Sequence, residues 1–158
     1  MPIAEHLRRL REFVGHELLL VPSVAVLVWD ESGRLLLVRD LDTGRWQTIG
    51  GAIEPDESPQ QAALRETSEE AGIGVRLTGL RGAVGGPGFR ISYPNGDQVA
   101  YVSCVFDAQL SEGEIRPDGE ETSAVRWFSN DELAELDMSA FTRVLLSEVN
   151  VLSTTRNG

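Results

Sequence analysis

The segment Ser58 to Gly72 reads as one short helix that ends in a crowd of carboxylates, and that crowding constrains everything packed around it. Ser58 suits the N-cap and Pro59 the first helical position, while Gly72 suits the left-handed residue just past the end. On a wheel of about 100° per residue, with Glu66 as the origin, Glu70 falls at roughly +40° and Glu69 at roughly −60°, whereas Leu64, Thr67 and Ala71 fall between roughly +100° and +160°. The spacing predicts a small apolar stripe packed on a sheet, with three carboxylates on the opposite arc and Arg65 off both. A glutamate face fully in water would cost little, because exposed like charges one turn apart repel by only about 0.2–0.5 kcal/mol. These acids sit late in the helix, however, where the macrodipole favours Lys or Arg. Partly buried, two carboxylates about 6 Å apart would repel by roughly 3 kcal/mol at an effective dielectric of about 20. Such a cluster needs protons or a cation, and hard oxygen donors select Mg²⁺, with Mn²⁺ as the alternative. On these grounds alone a solvated face and a cation site both stay open.

Ahead of the helix, Gly50-Gly51 lets the backbone approach a ligand closely and offers a carbonyl. Glu57 is spaced to reach Arg65 and pin the intervening loop onto the helix. The net charge is −11, and two segments carry most of it: Glu54 to Glu70 has six acidic residues against one Arg, and Ser111 to Glu121 has five against one. Two concentrated patches ask for a reason that a uniformly acidic surface would not. Duplex nucleic acid, which requires a basic stripe to displace counterions, is not an expected partner. All fourteen basic residues are Arg, and without Lys the phosphate-loop NTPases, protein kinases and Schiff-base enzymes are excluded. The single cysteine, Cys104, cannot form an internal disulfide, which fits a reducing compartment. No apolar run approaches the roughly 20 residues needed to span a bilayer, and the first nine residues are amphipathic, unlike a signal peptide. A cytoplasmic location without a membrane partner is therefore expected.

The 158 residues predict a single domain over 1–158. Ile3, Leu7, Leu10, Val14 and Leu18 recur at helical spacing, giving an amphipathic helix over roughly Ala4 to Glu17 within a 1–18 segment. Its apolar stripe is expected to pack on its own domain, a homodimer contact being the alternative. Val21 to Trp29 reads as a buried strand, followed by an Asp30–Gly33 turn and a hairpin partner at Arg34 to Arg39. Extended pieces follow at Trp46 to Ile53 and Val75 to Val84. Strands at Phe89 to Tyr93 and Gln98 to Asp107 flank an Asn95-Gly96 turn, and a last strand covers Ala124 to Phe128. Ser129 and Glu132 have capping-box spacing ahead of a short helix, and Met138 to Asn150 reads as a final helix. The order is that of one mixed α/β unit, with a core over 20–136 and a terminal helix over 138–150.

Written out, the central span is G51-x5-E57-x7-R65-E66-T67-x-E69-E70-x-G72-I73. It matches every fixed position of the Nudix box, and the chain resembles Nudix hydrolases over about Leu20 to Leu136. Trp46, the stretch Ser92 to Asp97 and the stretch Arg126 to Leu133 look like further family features. Ile49 stands where a Pro commonly precedes the glycine pair, and Thr67 takes the bulky apolar position. The resemblance implies a Nudix-like α/β/α sandwich with a mixed sheet, and Mg²⁺-dependent hydrolysis of the pyrophosphate bond in a nucleoside diphosphate linked to another group. It implies that Gly51, Glu66, Glu69 and Glu70 hold the metal, that Glu66 or Glu69 takes the water's proton, and that Glu57 and Arg65 organise the loop. Nudix enzymes often add a carboxylate from a later loop, and Glu120 and Glu121 are the candidates, Glu121 foremost. Trp46 is a candidate to stack on the base, and Arg39, Arg45 and Arg90 to meet phosphates or substrate. A (d)NTP or modified NTP is the favoured substrate. ADP-ribose, a nucleotide sugar or a non-catalytic nucleotide sensor are alternatives, and isoprenoid diphosphate isomerisation finds no added Cys near the glycine pair.

Overall fold

The computed structural model describes residues 4–153. Ile3, counted in the first amphipathic stripe, and the two ends of the 1–158 span lie outside the described residues. The chain runs α1 (Glu5–Val14), β1 (Leu19–Trp29), β2 (Leu35–Asp40), β3 (Trp46–Gln47), β4 (Ile49–Ala52), α2 (Pro59–Ala71), β5 (Gly74–Val84), a 3-10 turn (Pro87–Phe89), β6 (Arg90–Ser92), β7 (Gln98–Glu112), β8 (Thr122–Phe128), α3 (Asn130–Glu135) and α4 (Ala140–Glu148). The β-branched run of β1 pairs in parallel with β7, Leu19 opposite Val99 through to Trp29 opposite Gln109. The mixed sheet is ordered β3-β2-β1-β7-β5, with β4 added to β1, β6 to β7 and β8 to β2.

β1 and β2 alternate in facing, and both faces are covered. On one, Val24, Val26, Val28, Leu36, Val38 and Ile49 pack beneath Ala62, Ala63 and Ala71 of α2. On the other, Val21, Ala25, Leu27, Leu35, Leu37 and Val105 meet Leu133 of α3 and Leu145 and Leu146 of α4. This is the α/β/α sandwich. Alanines on α2 let it sit close to the sheet, which brings its polar end against the strands.

Several sequence expectations shift. The β1–β2 hairpin exists only at its turn, with Trp29 opposite Leu35. Beyond it the strands part, because β4 takes the β1 edge from Ser23 to Val26 and β8 takes β2. The first helix ends at Val14, stopped by Gly15 at φ 60, and Arg11 caps the Gly15 and Glu17 carbonyls. Leu7, Leu10 and Val14 are half-buried, and Leu7 packs against the α4-side core, so this part of the stripe docks on its own chain, whereas Leu18, past the helix end, is 40% exposed. Phe89 belongs to the 3-10 turn, β7 runs on to Glu112, β8 begins at Thr122 and α4 spans only Ala140–Glu148. The Asn-Gly hairpin holds: Ser92 pairs with Gln98, and Gly96 sits at φ 94. Leu64 is 43% exposed and does not join the packed stripe of α2. That face is formed instead by Ala62, Ala63, Glu66, Thr67, Glu70 and Ala71, so two of the three carboxylates point inward with the alanines. The wheel gave the angular order correctly. Where the sheet lies was beyond it.

Candidate active site

Ser58 caps α2 through a reciprocal box with Gln61, Pro59 opens it, and Gly72 closes it in the left-handed conformation at φ 70. Thr67, buried in the helix, donates its hydroxyl to the Ala63 carbonyl at 2.7 Å, so its polar atom needs nothing from the apolar surroundings. The helix end faces β4, and the two glycines there have steric work to do. A side chain at Gly50 would collide with the Val24 carbonyl of β1. A methyl at Gly51 would stand 2.6 Å from Glu66 Cδ, so the space a Cβ would fill is where the Glu66 carboxylate lies. The close approach expected of the glycine pair is thus to β1 and to Glu66.

Glu70 is 4% exposed and accepts the Gly50 N–H at 2.9 Å. Burial, and then the charge of Glu66, push its carboxyl well above the usual range. Glu66 is 7% exposed and is pushed up to about 7, chiefly by burial, despite Arg65 beside it. Arg65 ties the site together. Its Nε and Nη2 donate to Glu57 at 2.7 and 2.9 Å, Nη2 also to the Ala52 carbonyl at 3.1 Å, and Nη1 to Glu66 at 2.9 Å and Glu69 at 3.3 Å. The Arg65 hydrogen bond holds Glu57 below the usual range, and Glu57 also accepts the Glu54 N–H at 3.1 Å. Loop, helix and β4 are therefore pinned by one guanidinium. Glu69 remains on the rim, its side chain 58% exposed.

Of the later acidic patch, Glu120 is exposed and Glu121 is half-buried. Burial, together with Asp118, Glu69 and Asp40, pushes Glu121 up, and its charge in turn raises Glu66 and Glu70. The fold thus gathers Gly51, Glu57, Arg65, Glu66, Glu70 and Glu121, with Glu69 at the edge. A cleft of about 340 Å³ beside them is lined by Ser68, Glu69, Gly72, Arg116, Pro117 and Asp118.

The remaining candidates lie elsewhere. Trp46 packs edge-on against Phe128, centroids 4.8 Å apart, within the core on the α4 side of the sheet. Arg39, opposite Trp46 in the register, donates Nε to the Gly44 carbonyl at 2.8 Å. Arg45 faces Asp137 at 3.7 Å. Arg90 is exposed on β6, beside the first residues of β7. Sequence reasoning missed the Gly50 bond to Glu70 and the turn from Asp118 to Thr122 that carries Glu121. The Asp-Gly pair at 118–119, ahead of a Thr, was the available signal.

Among the described residues, no three His, Cys, Asp or Glu side chains converge closely enough to hold one ion. Arg65 Nη1 instead engages both Glu66 and Glu69. The donor set still fits a hard divalent cation: two buried carboxylates raise one another's proton affinity, Arg65 pairs with Glu66, and every donor is oxygen.

The NUDIX domain profile matches residues 19–149. The chain is 39% identical over 113 residues to a MutT-like protein of Streptomyces ambofaciens, covering 72% of this chain and 66% of that one. It is 32% identical over 104 residues to a putative 8-oxo-dGTP diphosphatase of Bacillus subtilis, covering 66% and 63%. It therefore spans a little under two thirds of these relatives' own lengths. The crystal structure of a MutT NUDIX hydrolase from Burkholderia pseudomallei superposes with a TM-score of 0.67 at 28% identity, over 83% of this chain and 98% of that one. With the box, the sandwich and the buried glutamate pair in agreement, the chain belongs to the Nudix family.

Proposed function

We propose that the chain is a pyrophosphohydrolase that cleaves a nucleoside triphosphate or modified triphosphate with Mg²⁺ or Mn²⁺. The observation that carries this reading is the burial of Glu66 and Glu70 against Gly50–Gly51, with the half-buried Glu121 near enough for its charge to raise both. Two inward carboxylates at such a site oppose folding unless a cation or protons neutralise them. Glu66 and Glu70, with Glu69 swung in from the rim and the Gly51 carbonyl, would hold the ion. A divalent ion bound there would clamp phosphate oxygens and acidify a water. Glu121, whose proton affinity is raised by burial, is suited to accept the water's proton, with Glu66 and Glu69 as the box's own candidates. Arg65 and Glu57 keep the loop in register. Arg39 and Arg45 flank the 41–44 loop, whose Leu41 N–H binds the Glu121 carbonyl at 2.8 Å, and this adjacency makes them the candidates for the distal phosphates. Trp46, beside them, is the candidate for the base, while Arg90 has no comparable link to the glutamates.

The triphosphate preference draws on the relative named for 8-oxo-dGTP. A panel of 8-oxo-dGTP, the four dNTPs, ADP-ribose, a nucleotide sugar and a dinucleoside polyphosphate, assayed with Mg²⁺ for product release, tests it. Fastest turnover of a triphosphate is expected. Preference for ADP-ribose or the sugar would move the assignment to those substrates, and tight nucleotide binding without turnover would make the chain a sensor.

A further inference from the structure

The loop after β7 makes an unusually complete set of hydrogen bonds, and they converge on the residue that presents Glu121. One carboxylate oxygen, Asp118 Oδ1, accepts the N–H groups of Glu120 at 2.9 Å, Glu121 at 2.8 Å and Thr122 at 2.9 Å. In return the Asp118 N–H donates to Thr122 Oγ1 at 3.1 Å, and Gly119, at φ 78, donates its N–H to the Thr122 carbonyl at 3.0 Å. Burial acts to raise the Asp118 carboxyl, but the three N–H groups outweigh it and hold the group below the usual range. Asp118 is therefore ionised at neutral pH, when it accepts most strongly.

This turn is also fastened to α2. Thr122, fully buried, donates Oγ1 to the Glu70 carbonyl at 3.1 Å, and the Arg116 N–H donates to the Ala71 carbonyl at 2.9 Å. Carbonyls in the last turn of a helix have no partner within it, so the loop satisfies two of them. From the other side the Leu41 N–H binds the Glu121 carbonyl. The backbone of Glu121 is thus held by Asp118, by β2's end and, one residue on, by the same residue of α2 whose side chain is the most buried glutamate.

We propose that Asp118 and Thr122 are positioning residues that fix the backbone of Glu121 beside the last turn of α2, the turn that carries Glu70. The inference rests on the hydrolase reading above and adds to it the device that aligns two distant segments of the chain. A displacement of about 1 Å in such a group can cost roughly 100-fold in rate.

The test uses the full chain, the fastest-cleaved nucleotide of the panel and a temperature well below every variant's Tm. D118A is expected to lower kcat by about 30- to 100-fold with KM within about twofold, because mispositioning removes rate and not binding. D118N keeps an oxygen acceptor at the same place and should recover most of the loss. T122V should behave like D118A, and T122S like the wild type. The double variant D118A/E121Q should be no slower than E121Q, since both act through one carboxylate. A purely structural turn predicts a lower Tm with kcat retained, or losses that multiply in the double variant, and either result overturns the proposal. A wild-type chain that turns over no nucleotide overturns the hydrolase reading together with this one, whereas an active wild type matched by D118A overturns this one alone.

Discussion

A methyl group at Gly51 would stand 2.6 Å from Glu66 Cδ, so G51A must expel the carboxylate or shift β4. Its expected outcome is loss of at least about 100-fold in kcat/KM, with Mg²⁺ affinity reduced in parallel, measured by steady-state rates and calorimetry. Glu70 offers the opposite pairing of effects. Glutamine there keeps an acceptor for the Gly50 N–H but removes a charge that burial opposes. E70Q should therefore be inactive yet, without metal at pH 8, melt at a higher temperature than the wild type. The same logic fixes a pH dependence. Glu66 has a folded-state pKa of about 7, and Glu70 is raised further. An acid whose pKa is raised by folding contributes no penalty below its unfolded value, about 4.3, and costs stability as pH climbs through the folded value. Tm of the metal-free chain in EDTA should fall between pH 5 and 8, by an amount that corresponds to roughly 3 kcal/mol or more, and Mg²⁺ should reverse the fall at pH 8. A flat profile would contradict the burial of these carboxylates. At this scale the crowding of acids late in α2 was readable from spacing, and the resemblance to the Nudix box named the residues. That Arg65 holds Glu66 and Glu69 at once was not, because side-chain direction depends on which face the sheet covers.

For α2 as an element, start and stop were legible because they rest on local chemistry: a Ser58–Gln61 box, Pro59, and a left-handed Gly72. S58A should cost about 1 kcal/mol in chemical denaturation, the usual worth of an N-cap. Gly72 carries a second constraint that no local rule contains, since a methyl there would stand 2.6 Å from Arg116 Cγ. G72A should thus cost more than the conformational penalty alone. The packed face was misjudged. Leu64 is exposed, so L64A should change stability by less than about 0.5 kcal/mol. A63L, set against the β-strands at a fully buried alanine, should cost about 1–3 kcal/mol by overpacking. Equal effects from the two would restore the face expected from the wheel. Amphipathic spacing misleads here because alanines and inward glutamates together line the contact, and hydrophobicity alone cannot rank them.

For the whole molecule, the long parallel pairing of β1 with β7 brings Val24 beside Cys104 and sets both cores on opposite faces of one sheet. That pairing carries the chain from β4 through α2 and β5 before β7 returns, and it delivers the 113–121 loop to the end of α2. The first helix is joined to this frame at the β6–β7 turn, where Asp97 accepts from His16 at 2.8 Å and lies 3.6 Å from Arg11 Nε. The His16 hydrogen bond holds Asp97 below the usual carboxyl range. Its contribution is therefore present above about pH 4 and lost as pH falls through the depressed value. The sequence by itself determined the local: the caps, the turns and the run of acids that ends α2, all properties of residues close together in the chain. Tertiary structure alone decided which carboxylates are buried, that Glu121 is half-buried while Glu120 is exposed, and that β1 leaves β2 after its turn. Those outcomes depend on what packs against each residue from distant parts of the chain, and burial, which sets both stability and proton affinity, belongs to the assembled fold.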